Sequence, residues 1–78
     1  MDEAVARLRK EPRNVRFDEL RKVCDFYLGE PRRHGSHLVY RTPWQGEPRI
    51  NIQARRGMAK PYQVRQVLKA IEKLEEMR

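Results

Sequence analysis

The stretch RRHGSHLVYR, residues 32–41, sets an imidazole, His37, directly behind a Gly35–Ser36 pair and among Arg32, Arg33 and Arg41. Those residue types suit the cleavage of a phosphodiester in RNA. That reaction needs a proton moved from a 2′-hydroxyl or to the leaving oxygen, and stabilisation of the charge that builds on the phosphorane. Imidazole, with an unperturbed pKa of about 6.5, can move protons near neutral pH. Arginines and the backbone N–H groups of a Gly-Ser turn can hold the phosphate. The same histidine also fits a surface or strand-capping position, so the rest of the chain has to discriminate.

Other chemistries find fewer of their parts. His34 and His37 are too few for a metal site, and Glu47 is the one carboxylate near them in sequence. Ser36 has no base and orienting acid in a hydrolase pattern. A glycine-rich loop with a Walker lysine is missing. Cys24 is the single cysteine, which leaves no partner for an intramolecular disulfide, and its spacing from Leu20, Val23 and Tyr27 assigns it to an apolar helical face. An enzyme built from this chain works by histidine, cations and backbone amides, with no metal and no cofactor.

The distribution of charge points to a polyanion. The formal net charge is +7 over 78 residues. Between Pro31 and Arg65 the bases are Arg32, Arg33, Arg41, Arg49, Arg55, Arg56, Lys60 and Arg65, against Glu47 alone. The two flanks hold ten bases and ten acids, so the whole excess belongs to the middle. A one-signed segment rich in arginine is the footprint of a nucleic-acid-binding surface, although an acidic protein would also fit it. The sequence holds no run approaching the roughly 18 apolar residues of a membrane span, and MDEAVARLRK lacks a signal core. The expectation is a soluble cytoplasmic protein with no membrane partner.

The elements that must position these groups follow from periodicity. Residues 2–10 suit a short helix carrying Val5 and Leu8, acids first and bases last, broken by KEPRN. A second helix is predicted from Asp18 as N-cap to Leu28, ended by Gly29 and Pro31. The period then changes to two. An extended piece around Pro31 to Arg33 reaches the Gly35 turn, and HLVYRT and PRINIQ read as strands joined through PWQGE. Leu38, Tyr40, Ile50 and Ile52 then share a core face, with His37, Val39, Arg41, Arg49, Asn51 and Gln53 opposite. ARRGMAK reads as a basic loop, and Pro61 as the first residue of a last helix with Val64, Val67, Leu68, Ile71 and Leu74 inward. Trp44 is expected to pack on its own hairpin more readily than to stack on a base; Tyr62 and Met58 receive no site assignment.

FDEL opening a helix, then RRHGSHLVY, a short INIQ strand and a closing QVRQVLKAIEKL helix resemble the HicA family of bacterial toxin endoribonucleases. The resemblance covers about residues 15–75, and Gly35, Ser36, His37 and Tyr40 are its most specific part. It implies an α+β fold like that of double-stranded-RNA-binding domains: helix, three-stranded antiparallel sheet and helix, with the helices on one face. Here that fold would occupy residues 15–78, and residues 1–14 would form a helical extension that covers the sheet or widens a partner interface. The implied activity is cleavage of messenger RNA without a metal by a monomeric toxin, neutralised by a HicB-type antitoxin. His37 maps onto the family's catalytic histidine, while His34 receives no catalytic role. Arg32, Arg33, Gly35, Ser36, Arg41, Arg49, Arg55, Arg56 and Lys60 are the candidate RNA-binding residues. A non-catalytic RNA-binding module on the same fold is the alternative. One departure stands out: Gln53, Ala54 and Arg55 lie where family members often carry a proline and a second histidine. Arg55, Arg56 and Lys60 are candidates for electrostatic assistance in its place.

Overall fold

The computed structural model describes residues 1–44 and 49–77. Three helices, α1 (Asp2–Lys10), α2 (Phe17–Leu28) and α3 (Pro61–Glu76), pack on a sheet of β1 (Arg32–His34), β2 (His37–Tyr40), β3 (Ile50–Arg55) and β4 (Met58–Ala59). The sheet is antiparallel throughout, in the order β1-β2-β3-β4. Gln45 to Pro48, read from sequence as most of the loop between the second and third strands, lie outside the described residues. Among the described residues, no helix is long and apolar enough to cross a membrane.

The core follows the predicted alternation. Leu38, Tyr40, Ile50 and Ile52 are buried against Leu20, Val23 and Cys24 of α2 and Val64, Val67 and Ile71 of α3. Burial pushes the Cys24 thiol up to about 12, which makes it a packing group and not a nucleophile. Tyr40 is fully buried, and its hydroxyl donates to Asp25 Oδ1 at 2.5 Å, tying β2 to α2. Burial, and then that bond, raise the phenol pKa and keep it protonated.

α1 lies on the helix side and does not cover the sheet. Val5 and Leu8 join the common core. Arg7 grips Glu19 through two bonds, Nε to Oε2 at 2.7 Å and Nη2 to Oε1 at 3.2 Å, and also donates to the Asn14 carbonyl. Glu19 Oε1 in turn accepts the Arg16 backbone N–H at 3.0 Å. The bond from Arg7, followed by the one from Arg16, holds the Glu19 carboxyl below its ordinary pKa. The N-cap of α2 is therefore Arg16, and Asp18 sits inside the first turn instead of capping it. Glu19 at the third helical position reaches back to the N-cap N–H, so the cap residue itself needs no acceptor side chain.

The sheet has a fourth strand where three were expected. Residues read as a basic loop form a β3–β4 hairpin, with Arg55 opposite Met58 and Arg56–Gly57 as its two-residue turn. Both turn residues have positive φ, 51° for Arg56 and 80° for Gly57, which is the pattern of a type I′ turn. Val15 and Phe17 close the outer edge of β4, through Ala59 N–H to Val15 O and Phe17 N–H to Gly57 O. The other hairpin turns at Gly35–Ser36, with φ positive at Gly35 alone, matching type II′. Left-handed backbone is costly for arginine and easy for asparagine, so Arg56→Asn is expected to raise stability by about 0.5–1 kcal/mol. Thermal unfolding checks it, and an unchanged or lowered midpoint would contradict the turn assignment.

Candidate functional site

Alternation along β2 and β3 leaves one face of the sheet without helices. Arg32 pairs with Val39, His34 with His37, and His37 with Gln53, which brings these side chains onto that open face together with Asn51. Arg55, two residues beyond Gln53, projects the same way. Arg41 and Arg49 flank the ends of β2 and β3 and, with Arg32, Val39, Leu28 and Glu30, line a shallow groove. Arg33 departs from the group. Its partner is the buried Leu38, so it turns toward the helices and lines a separate groove with Arg21 and Asp25.

His37 is half-buried, and its Nδ1 lies 2.8 Å from Asn51 Oδ1. An amide oxygen only accepts, so Nδ1 is the donor in this bond. The neutral ring then keeps its lone pair on Nε2. Directly across from His37 on β3, Gln53 is fixed at three points. Its Nε2 donates to Ser36 Oγ at 2.9 Å, and its Oε1 accepts from Lys60 Nζ at 3.0 Å. The third is its backbone N–H, which reaches Oε1 of buried Gln63 at 2.9 Å. The cause of this last bond is the short β4. The Lys60 carbonyl, which would face Gln53 if β4 continued, instead accepts from Gln63 and Val64 to start α3. Gln63 supplies the missing acceptor. The Gly35–Ser36 turn, β3 and the α3 entrance are thereby locked together beneath His37.

Charge is segregated as the sequence divides it. The ion pairs among the described residues lie on the helical side: Arg7 with Glu19 and Arg9 with Glu72 join α1 to α2 and α3, while Arg7 with Glu11 and Arg21 with Asp25 are local pairs four residues apart. Arg32, Arg41, Arg49, Arg55 and Arg56 take no part in them. Arg56 sits at the tip of its turn, and Lys60, held by Gln53, is the best anchored cation of the set. No three His, Cys, Asp or Glu side chains converge among the described residues. Trp44 is half-buried against the core, beside both α3 and Arg49 and Ile50 at the start of the second strand of its own hairpin. Its ring lies 4.5 Å from Lys73 Nζ, in a groove shared with Arg49, Gln66 and Lys69. Tyr62 is exposed.

Sequence reasoning overlooked Asn51, Gln53 and Gln63 as parts of the site. The period of two had already put Asn51 and Gln53 on the face of His37, and that was the available signal. Comparisons with protein-family models, curated proteins and solved structures give no match. Gln53→Leu removes the side-chain bonds to Ser36 and to Lys60 and is expected to cost roughly 1–3 kcal/mol. Chemical denaturation measures this, and a change below about 0.5 kcal/mol, the scatter of ordinary surface substitutions, would rule out a structural role for the network.

Proposed function

We propose that the protein is a metal-independent endoribonuclease of the toxin type, cleaving messenger RNA on the open face of its sheet. The strongest support is the placement of His37, presented away from the core, oriented by Asn51 and on the same face as arginines that form no ion pair among the described residues. Nε2 of His37 takes the proton of a 2′-hydroxyl, whose oxygen then attacks the neighbouring phosphorus. Backbone N–H groups of the Gly35–Ser36 turn, Lys60 and the nearby arginines stabilise the charge that develops on the phosphorane. Arg32, Arg41, Arg49 and Arg55 bind the flanking phosphates, an interaction whose strength falls steeply with salt.

The likeness to the HicA family brings an antitoxin with it. A HicB-type protein that lays acidic groups on the same arginines would block RNA by occupying the face, with no need to unfold the toxin. In this account the toxin acts as a monomer in the cytoplasm. A non-catalytic RNA-binding module would use the same arginines and leave His37 as a structural contact to Asn51, and activity separates the two. Purified protein is expected to cleave RNA in EDTA, and a folded His37→Ala variant to lose at least about 100-fold of that rate. Undiminished cleavage by the variant, with circular dichroism unchanged, would remove His37 from the chemistry.

A further inference from the structure

Cleavage by a 2′-hydroxyl requires two proton transfers, and His37 accounts for one of them. The leaving 5′ oxygen must also gain a proton, because an alkoxide is a poor leaving group. We propose, resting on the ribonuclease reading above, that His34 is the catalytic residue that delivers this second proton. His34 and His37 are direct partners across the two-residue Gly35–Ser36 turn. Directly opposed residues of an antiparallel pair project from the same face with their Cβ atoms about 4.5–5.5 Å apart, so one phosphate can lie within reach of both rings.

The two imidazoles differ in a way that divides the work. His37 is half-buried and donates from Nδ1 to Asn51, which fixes its ring and leaves Nε2 as an acceptor. His34 is exposed at the end of the edge strand, and no side-chain hydrogen bond engages it among the described residues. Its ring is free to follow the leaving oxygen. Neighbouring groups serve this step poorly. Arginine holds its proton too tightly to act as a general acid. Lys60 is tethered to Gln53 Oε1 and serves as a fixed positive charge, and the Ser36 hydroxyl, whose oxygen accepts from Gln53 Nε2, is an aliphatic alcohol and far too weak an acid.

The step balances without any further reactant. As the O2′–P bond forms, the 2′-hydroxyl proton passes to Nε2 of His37. As the P–O5′ bond breaks, the imidazolium of His34 gives its proton to O5′. The products are a 2′,3′-cyclic phosphate and a 5′-hydroxyl, and exchange with water returns His37 to neutral and His34 to its charged form. The second histidine that the family often carries on the third strand is absent here, and the hairpin turn supplies one from the opposite side.

A substrate with sulfur in place of the bridging 5′ oxygen separates this role from a structural one, because a thiolate leaves without being protonated. His34→Ala is expected to slow cleavage of ordinary RNA by at least about 100-fold and to cleave the 5′-thio substrate at nearly the wild-type rate. His37→Ala is expected to be slow on both. If His34→Ala cleaves ordinary RNA at the wild-type rate, or is equally impaired on both substrates, His34 is not the acid and the ribonuclease reading stands without it. If the wild-type protein cleaves neither substrate, that reading fails and this inference fails with it.

Discussion

The parity of β2 governs everything on the open face. Leu38 and Tyr40 are committed to the core, Tyr40 doubly so because its buried hydroxyl must keep Asp25 as its partner. A buried phenol without an acceptor would cost roughly 1–3 kcal/mol, so β2 cannot rotate or slip by one residue. His37 and Val39 are therefore held on the side away from the helices, whatever their own preferences. Ile50 and Ile52 impose the same order on β3, which brings Asn51 within reach of the His37 ring. The apolar core thus orients the polar face in a chain too small to dedicate a second layer to that task.

Stiffness around the turn has a different origin. The short β4 leaves one β3 N–H without a strand partner, and the chain meets this with Gln63 from α3. Once Gln53 is placed, its side chain bridges Ser36 on one hairpin and Lys60 at the helix entrance. A geometric shortfall in the sheet is thereby converted into a brace beneath the candidate active site. Arg56 shows the opposite bias: it stands at a left-handed position that asparagine or glycine would fill with less strain. Strain of this kind concentrates where a side chain serves binding more than folding, and Arg56 adds a cation at the rim of the open face.

Local rules made much of this legible in the sequence. Acids before bases bounded α1, Pro61 opened α3, Gly29 closed α2, and the alternation of Leu38, Tyr40, Ile50 and Ile52 named the core face. Gly35 marked its turn because only glycine takes that backbone without strain. What escaped depended on partners distant in the chain. Glu19 caps α2 only because Arg7 and the Arg16 N–H converge on it. The Arg56–Gly57 turn lacks the asparagine that usually announces type I′, so β4 read as a loop. Asn51 and Gln53 lie 14 and 17 residues from the groups they hold, His37 and Ser36, and no local pattern encodes such a meeting. His34 was in plain view, yet its pairing with His37 required the register.

The chemistry proposed for this face leaves a signature on its products that binding alone cannot imitate. Attack by the adjacent 2′-hydroxyl must yield a 5′-hydroxyl on the downstream fragment and a cyclic 2′,3′-phosphate, or the 3′-phosphate it hydrolyses to, on the upstream one. The direct measurement is mass spectrometry of the fragment ends from a short RNA treated with the purified protein. The account predicts those termini, and their disappearance when the nucleotide 5′ of the scissile bond is made 2′-deoxy. Fragments ending in 5′-phosphate and 3′-hydroxyl, or undiminished cleavage of the deoxy substrate, would contradict it.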